Sequence, residues 1–315
     1  MLAFAGGMCL SACAWTGGGP SPALWRVQAD NGNQMWVFGS IHRLPDEYQP
    51  APPVKLPVSN RLRRPFPRAP WLTSTLQTAF RDASTIMVET VEAPSFGGLI
   101  TLAAEHDRLG DCDPITQHLG RKQNEHLESL LGRRTGESRT FPDSAPAILL
   151  SLVAFRSGRG ASSSNMGVDF WLTQLARGNG KQIIALETPV ERLEAMQAAL
   201  AVLPCDRQAQ QIAAYLRTLD QDSPVDRSQP TITFRQWLHG DIAALERAIE
   251  EYRAQSEVLF QALLARRNQQ WASRVLQQLD SQHSTLLVAG AAHFAGPDNL
   301  LQILENKGLS VERVQ

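Results

Sequence analysis

No apolar run inside the body of this 315-residue chain reaches the roughly 20 residues that a membrane-spanning helix needs. Charge of one sign is not in excess either. Thirty Lys and Arg face 31 Asp and Glu, for a formal net charge of -1, which removes any electrostatic reason to expect a nucleic-acid partner. Cysteine is scarce: four residues, at positions 9, 13, 112 and 205. What is there suits a globular core and not a disordered chain, with 43% hydrophobic and 19% charged residues.

The N-terminal run "MLAFAGGMCLSAC" ends in Leu10-Ser11-Ala12-Cys13. It resembles the tail of a bacterial lipoprotein signal, cleaved just before a cysteine that becomes lipidated. It departs from that pattern in its short apolar core and in having no Lys or Arg before Cys13. Residues 1–13 are therefore expected to be a signal and lipobox segment, against the alternative of a frayed, mildly apolar terminus. Cys13 would be the lipidation site and the membrane anchor, and the protein an exported, periplasm-facing part of a bacterial cell envelope. Cleavage there removes Cys9 as well. Cys112 and Cys205 then either bridge in an oxidising compartment or stay as two buried thiols.

Residues 14–22, rich in Gly, Pro and Ser, read as a flexible tether to a single domain over 23–315. "ALWRVQA" and "MWVFGS" flank "DNGNQ", a hairpin signal. The stretch at about 49–70 carries too many prolines for any regular element and reads as an exposed insertion. A helical pattern follows at Leu72, Leu76, Ala79 and Phe80, then the short strand "IMVE". A mostly helical region runs from about 98 to 158. The loop "RSGRGASSSN" is expected to supply a Ser or Asn cap to the helix "MGVDFWLTQLARG", and "KQIIALE" is the next strand. The segment after 189 is again helical, up to the buried strand "STLLVAG". After it, Pro297 and Asp298 suit the first turn of a helix that ends at Gly308, ahead of a half-buried strand "LSVERV". The alternation implies an α/β fold, a central sheet flanked by many helices, with its functional edge at the strand C-termini.

The chemistry sits at those edges. "FGSIHRLP" and "VAGAAHFAGP" both run strand, Gly, two residues, His, which places His42 after Gly39 and His293 after Gly290. Glycine lets the chain turn sharply as it leaves the sheet. Imidazole is the commonest metal ligand and the usual proton carrier near neutral pH. "IMVE" and "IIALE" add Glu89 and Glu187 at comparable exits. Arg267 falls on the apolar row Leu259, Leu263, Trp271, Val275 of a long helix, with Asn268 beside it. A guanidinium there needs an anionic partner, Glu89 or a bound oxyanion. His106, His118, His126, His239 and His283 lie in polar surroundings and read as surface residues.

The segments "PALWRV", "FGSIHRLP", "IMVE", "GVDFWLTQLARGNGKQIIALET", "ARRNQQW" and "LLVAGAAHFAGPDNLLQILENKGLSVERV" together resemble the TraB/GumN family, within the Tiki/erythromycin-esterase-like superfamily. The resemblance covers most of residues 22–315. Relative to the family, the 49–70 stretch looks inserted, a surface excursion or a lid. The resemblance implies a Tiki/EreA-like fold and a divalent-metal hydrolase site. Its metal residues would be His42, His293 and Glu89, with Arg267 and Asn268 matching the family's Arg-Asn pair.

The leading expectation is metal-dependent hydrolysis of a peptide or a small molecule. The two neutral imidazoles would hold Zn, Mn, Fe or Co, and Glu89 would be either a third ligand or the base that takes a proton from water. Arg267 and Asn268 would either stabilise the developing oxyanion or hold Glu89 ionised. Gly39, Gly290 and Glu187 would support the site. The competing expectation is a non-catalytic envelope lipoprotein that binds haem or another ligand through a strand-exit histidine.

Overall fold

The Asn-Gly turn sets the first register. Strands β1 (Leu24–Gln28) and β2 (Gln34–Ser40) pair antiparallel, with Leu24 opposite Phe38. Gly32 takes φ 86° at the bend, and the Asn31 side chain accepts from the Asn33 N–H. In this computed structural model the described residues are 19–50 (save 43 and 49), 66–91 (save 67), 103, 105, 107, 112–131, 143–152 (save 150), 167–220 and 232–315 (save 282). The signal segment with Cys13 and most of the 49–70 insertion lie outside them.

Four more strands complete the sheet: β3 (Thr85–Val88), β4 (Gln182–Ala185), β5 (Thr285–Gly290) and β6 (Ser310–Arg313). The order is β4-β3-β5-β2-β1-β6, so the sheet is mixed. β4, β3, β5 and β2 run parallel, and β1 and β6 form an antiparallel edge. The two strands that carry the G-x-x-H segments are neighbours, with Gly39 opposite Ala289 and Ser40 opposite Gly290.

Both faces of the parallel strands are covered, as such sheets require. Alternate residues serve alternate cores. Leu24, Phe38, Ile86, Val88, Leu286 and Val288 face one core, which takes Leu76 and Phe80 from helix Ser74–Asp82, Leu172 from helix Val168–Gly178 and Met196 from helix Pro189–Leu200. Val27, Met35, Val37, Met87, Leu287 and Ala289 face the other. That core is closed by Trp271, Val275 and Leu279 of helix Arg266–Asp280 and by Leu300 and Leu304 of helix Leu300–Glu305. Each such fully buried side chain contributes about 1.5–3 kcal/mol.

Several local expectations are corrected. The Val168 helix starts at Gly167 with no side-chain cap. The last helix starts later than Pro297: Asn299 is its N-cap, and Asp298 takes φ 52° ahead of it. The expected long helix is present as one continuous run from Glu257 to Asp280, with helical backbone at both joins, but its stretch Gln261–Ala265 is a π turn. His118 and His283 are exposed as expected, but His126 and His239 are half-buried, and His106 lies outside the described residues. Of the two fates left open for Cys112 and Cys205, the fold takes the bridge, a disulfide across 93 residues of sequence. Among the described residues no helix is long and apolar enough to cross a membrane.

Candidate active site at the strand ends

Parallel pairing of β4, β3, β5 and β2 lines up four C-terminal ends, and each delivers a polar group. Glu89 follows β3, and its carbonyl accepts from the Glu187 N–H just beyond β4 (3.0 Å). Glu89 Oε1 accepts from the Gly290 N–H at the end of β5 (2.8 Å). His42, just beyond β2, places Nε2 3.5 Å from the same oxygen.

Gly290 is required by this approach. A Cβ there would lie 3.2 Å from His42 Nε2 and 3.3 Å from Glu89 Oε1, between the two groups. Gly39 acts one step back, where a Cβ would press on Ala291 at 3.2 Å. Gly167 is needed most. Its Cβ would fall 2.5 Å from the His42 backbone and 2.4 Å from Asp169 Oδ1. Without a side chain at 167, the Val168 N–H reaches the Ile41 carbonyl (2.8 Å), and the first turn of the helix brings Asp169 to His42. The His42 Nδ1–H donates to Asp169 Oδ2 at 3.2 Å. Burial disfavours the charged ring, but the Asp169 and Glu89 carboxylates outweigh it and raise the His42 pKa to about 9.

Behind Glu89 stands Arg267, 3% exposed, against Glu187, 1% exposed. Its Nε lies 3.0 and 2.9 Å from the two Glu187 oxygens, and Nη2 donates to Glu187 Oε1 at 2.6 Å. Nη2 also donates to Glu89 Oε2 at 2.9 Å. Nη1 donates to the Leu263 carbonyl at 2.7 Å and faces His293 Nε2 at 3.3 Å. Leu263 belongs to the π turn, the kind of helix irregularity that recurs at functional sites. These contacts use all five guanidinium N–H groups. Trp271, one turn on, donates its indole N–H to Glu187 Oε2 (3.0 Å) and lies 4.6 Å beneath the Arg267 guanidinium.

His293 is buried against the Trp271 ring, with centroids 4.3 Å apart. Asn268 Nδ2 donates to the Asp298 carbonyl (2.8 Å), which turns its Oδ1 to His293 Nδ1 at 2.6 Å. An amide oxygen only accepts, so the His293 proton sits on Nδ1 and the Nε2 lone pair faces inward. Burial, then the Arg267 charge, hold the His293 pKa well below its usual value. Burial pushes Glu89 upward, but His42 and Arg267 overcome it and keep that carboxyl well below the usual range.

His42, Glu89, Glu187, Arg267, Asn268, His293, Gly39 and Gly290 thus meet at one end of the sheet. Arg267 spends every N–H on side chains and carbonyls of the protein, which is a holding role, and Asn268 holds His293 through Oδ1 while giving one N–H to the Asp298 carbonyl. Asp169, Gly167 and the contact of Trp271 with Glu187 were missed. Asp169 and Gly167 stand at a helix start, where reasoning from strand exits does not look.

The donor chemistry fits a divalent cation. Two imidazoles are each fixed through Nδ1, by Asp169 and by Asn268, as metal-ligating histidines usually are. Gly290 keeps the space between His42 and Glu89 clear of a side chain. Among the described residues, however, no three His, Cys, Asp or Glu side chains are drawn tightly enough together to enclose an ion. Arg267 stands at His293 Nε2 instead.

The model of the TraB/PrgY/gumN family matches residues 65–313. That span takes in Glu89, Glu187, Arg267 and His293 but begins after His42. No match was found among curated proteins or among solved structures.

Proposed function

From the premise that this chain belongs to the TraB/PrgY/gumN family, we propose that it is a divalent-metal-dependent hydrolase of peptide-like amide bonds. One observation carries the reading: His42 and His293 are both pinned through Nδ1 by an oxygen, and both turn Nε2 towards the Glu89–Arg267 pair. His42, His293 and Glu89 would hold Zn, Mn, Fe or Co. The ion, when bound, would supply Lewis acidity to polarise the scissile carbonyl and acidify water.

The residues of the chain do the rest. Arg267 helps to keep Glu89 ionised and the Gly290 N–H aims one of its oxygens, which suits an anionic ligand; a carboxyl held well below the usual range is a weak base at neutral pH. Asp169 and Asn268 fix the two rings through Nδ1; to take an ion, His42 must give up its Nε2 proton and His293 must release Arg267 Nη1. Glu187 neutralises Arg267 and stops it from drawing Glu89 away.

The Cys112–Cys205 disulfide supports an oxidising compartment, and so an exported, periplasm-facing protein; anchoring through Cys13 rests on the N-terminal sequence alone. The deciding experiment is elemental analysis of protein purified without chelator, beside a fluorogenic-peptide assay. Wild-type protein is expected to retain about one metal ion per chain. His42→Ala and His293→Ala should each lose both metal and activity while keeping the wild-type circular dichroism. A folded double variant that keeps metal and activity ends the proposal, as does wild-type protein with no metal.

A further inference from the structure

Arg267 is saturated, yet a second arginine stands beside the same carboxylates. Arg192 lies in helix Pro189–Leu200, which starts directly after Glu187 and its neighbour Thr188. Thr188 and Glu191 close a capping box, and Arg274 clamps Glu191 through Nη1 at 3.0 Å and Nη2 at 2.5 Å, so this first turn is rigid. Positions 192, 196 and 200 share a helix face, and Met196 and Leu200 are fully buried. Arg192 therefore sits at the head of a core-facing row, at the end next to the site.

Its Nε is buried with no hydrogen-bond partner. No ion pair or side-chain hydrogen bond involves Arg192 among the described residues. The residue as a whole is half-buried, so the guanidinium can be reached from solvent while its Nε stays unsatisfied, which an incoming anion would complete. Glu187 and Glu89 face it with negative charge, but their oxygens are committed to Arg267, Trp271 and Gly290. The Arg267 charge repels it.

We propose that Arg192 is the anion-binding residue of this site and that the substrate carries a carboxylate close to its scissile amide. This deepens the hydrolase reading and rests on it for the reaction, but binding can be measured without turnover. A planar carboxylate matches the guanidinium fork. Glu89 and Glu187 close by favour a singly charged group over a phosphate dianion.

The test is calorimetric titration of the full chain with N-acetylglycine, N-acetylglycinamide and inorganic phosphate, with metal content measured on the same samples. Wild-type protein should bind the carboxylate about 10- to 100-fold tighter than the amide, the range of a charge-assisted hydrogen bond. Arg192→Gln should bind the two equally, and Arg192→Lys should keep part of the preference. Circular dichroism confirms that the variants fold. No binding of N-acetylglycine by wild-type protein overturns the proposal, as do equal binding of the amide, a preference that survives in R192Q, or tighter binding of phosphate. Absence of metal in these samples would sink the hydrolase reading and leave the carboxylate preference to stand or fall on its own titration.

Discussion

Glu187→Gln removes one charge from the most deeply buried ion pair of the site and changes almost no volume. The carboxylate is 1% exposed and Arg267 is 3% exposed, so water cannot replace what is lost. Glu187 receives the Arg267 Nε and Nη2 and the Trp271 indole N–H, all within 3.0 Å. The amide in its place offers one oxygen to those donors and turns its own N–H groups against the guanidinium. Two unit charges about 4 Å apart attract by about 4 kcal/mol at an effective dielectric constant of about 20. Breaking one side of a buried pair costs about 3–5 kcal/mol in practice, because the surviving charge stays buried. The expected loss is therefore about 3–5 kcal/mol of unfolding free energy, read by urea titration with tryptophan fluorescence and circular dichroism together. Pairing the change with Arg267→Gln should return about 2 kcal/mol relative to the sum of the single variants, since no cation is then stranded. A Glu187→Gln loss below about 1 kcal/mol would refute the reasoning, because it is the signature of a solvent-screened pair. So would strict additivity in the double variant.

Two further outcomes follow from the same structure. The raised pKa of His42, about 9, makes its ion pairs stabilising below the ordinary imidazole value of 6.5, and this contribution is lost as pH rises through about 9. Asp169→Asn should bring the His42 titration down towards 6.5 in chelator-treated protein, followed by imidazole NMR; a ring that still titrates near 9 shows that Asp169 is not responsible. Joining Cys112 to Cys205 closes a loop of 93 residues, so Cys112→Ser with Cys205→Ser should lower stability by about 2–4 kcal/mol in urea; no loss, and no effect of a reductant on the wild type, rules that contribution out.

The strands were legible because their patterns are strong. Continuous apolar runs in β2 and β5, a glycine at each exit and an Asn-Gly turn leave little freedom, and the same cues bring His42, His293, Glu89 and Glu187 to one edge. The helix starts were harder to place. Propensity points to Pro297 as a first turn, but Asn299 is the N-cap, accepting from the Gln302 N–H, while Asp298 adopts a left-handed turn and gives its carbonyl to Asn268. The π turn was hidden for a similar reason. Nothing in "QALLA" departs from α-helical preference, and the carbonyl that receives Arg267 is a property of the backbone path. Asp169 was invisible because its partner is 127 residues away and its reach depends on the missing side chain of Gly167.

The two arginines show how position divides chemically identical groups. Arg267 lies on a helix across the second core, with Glu187 and Glu89 at the strand exits in front of it, and every N–H it owns is consumed in place. Its charge therefore adds to that of His42 in keeping Glu89 ionised and to burial in keeping His293 neutral, but offers nothing to an incoming molecule. Arg192 belongs to a helix on the opposite core, arrives after those carboxylates are already paired, and keeps a buried donor unspent. Their proximity also lowers the Arg192 pKa, burial first and Arg267 second, so each added anion at the site relieves a repulsion as well as filling a hydrogen bond. Neutral replacement of Arg267 should thus disturb the protein itself, whereas neutral replacement of Arg192 should disturb what the protein selects.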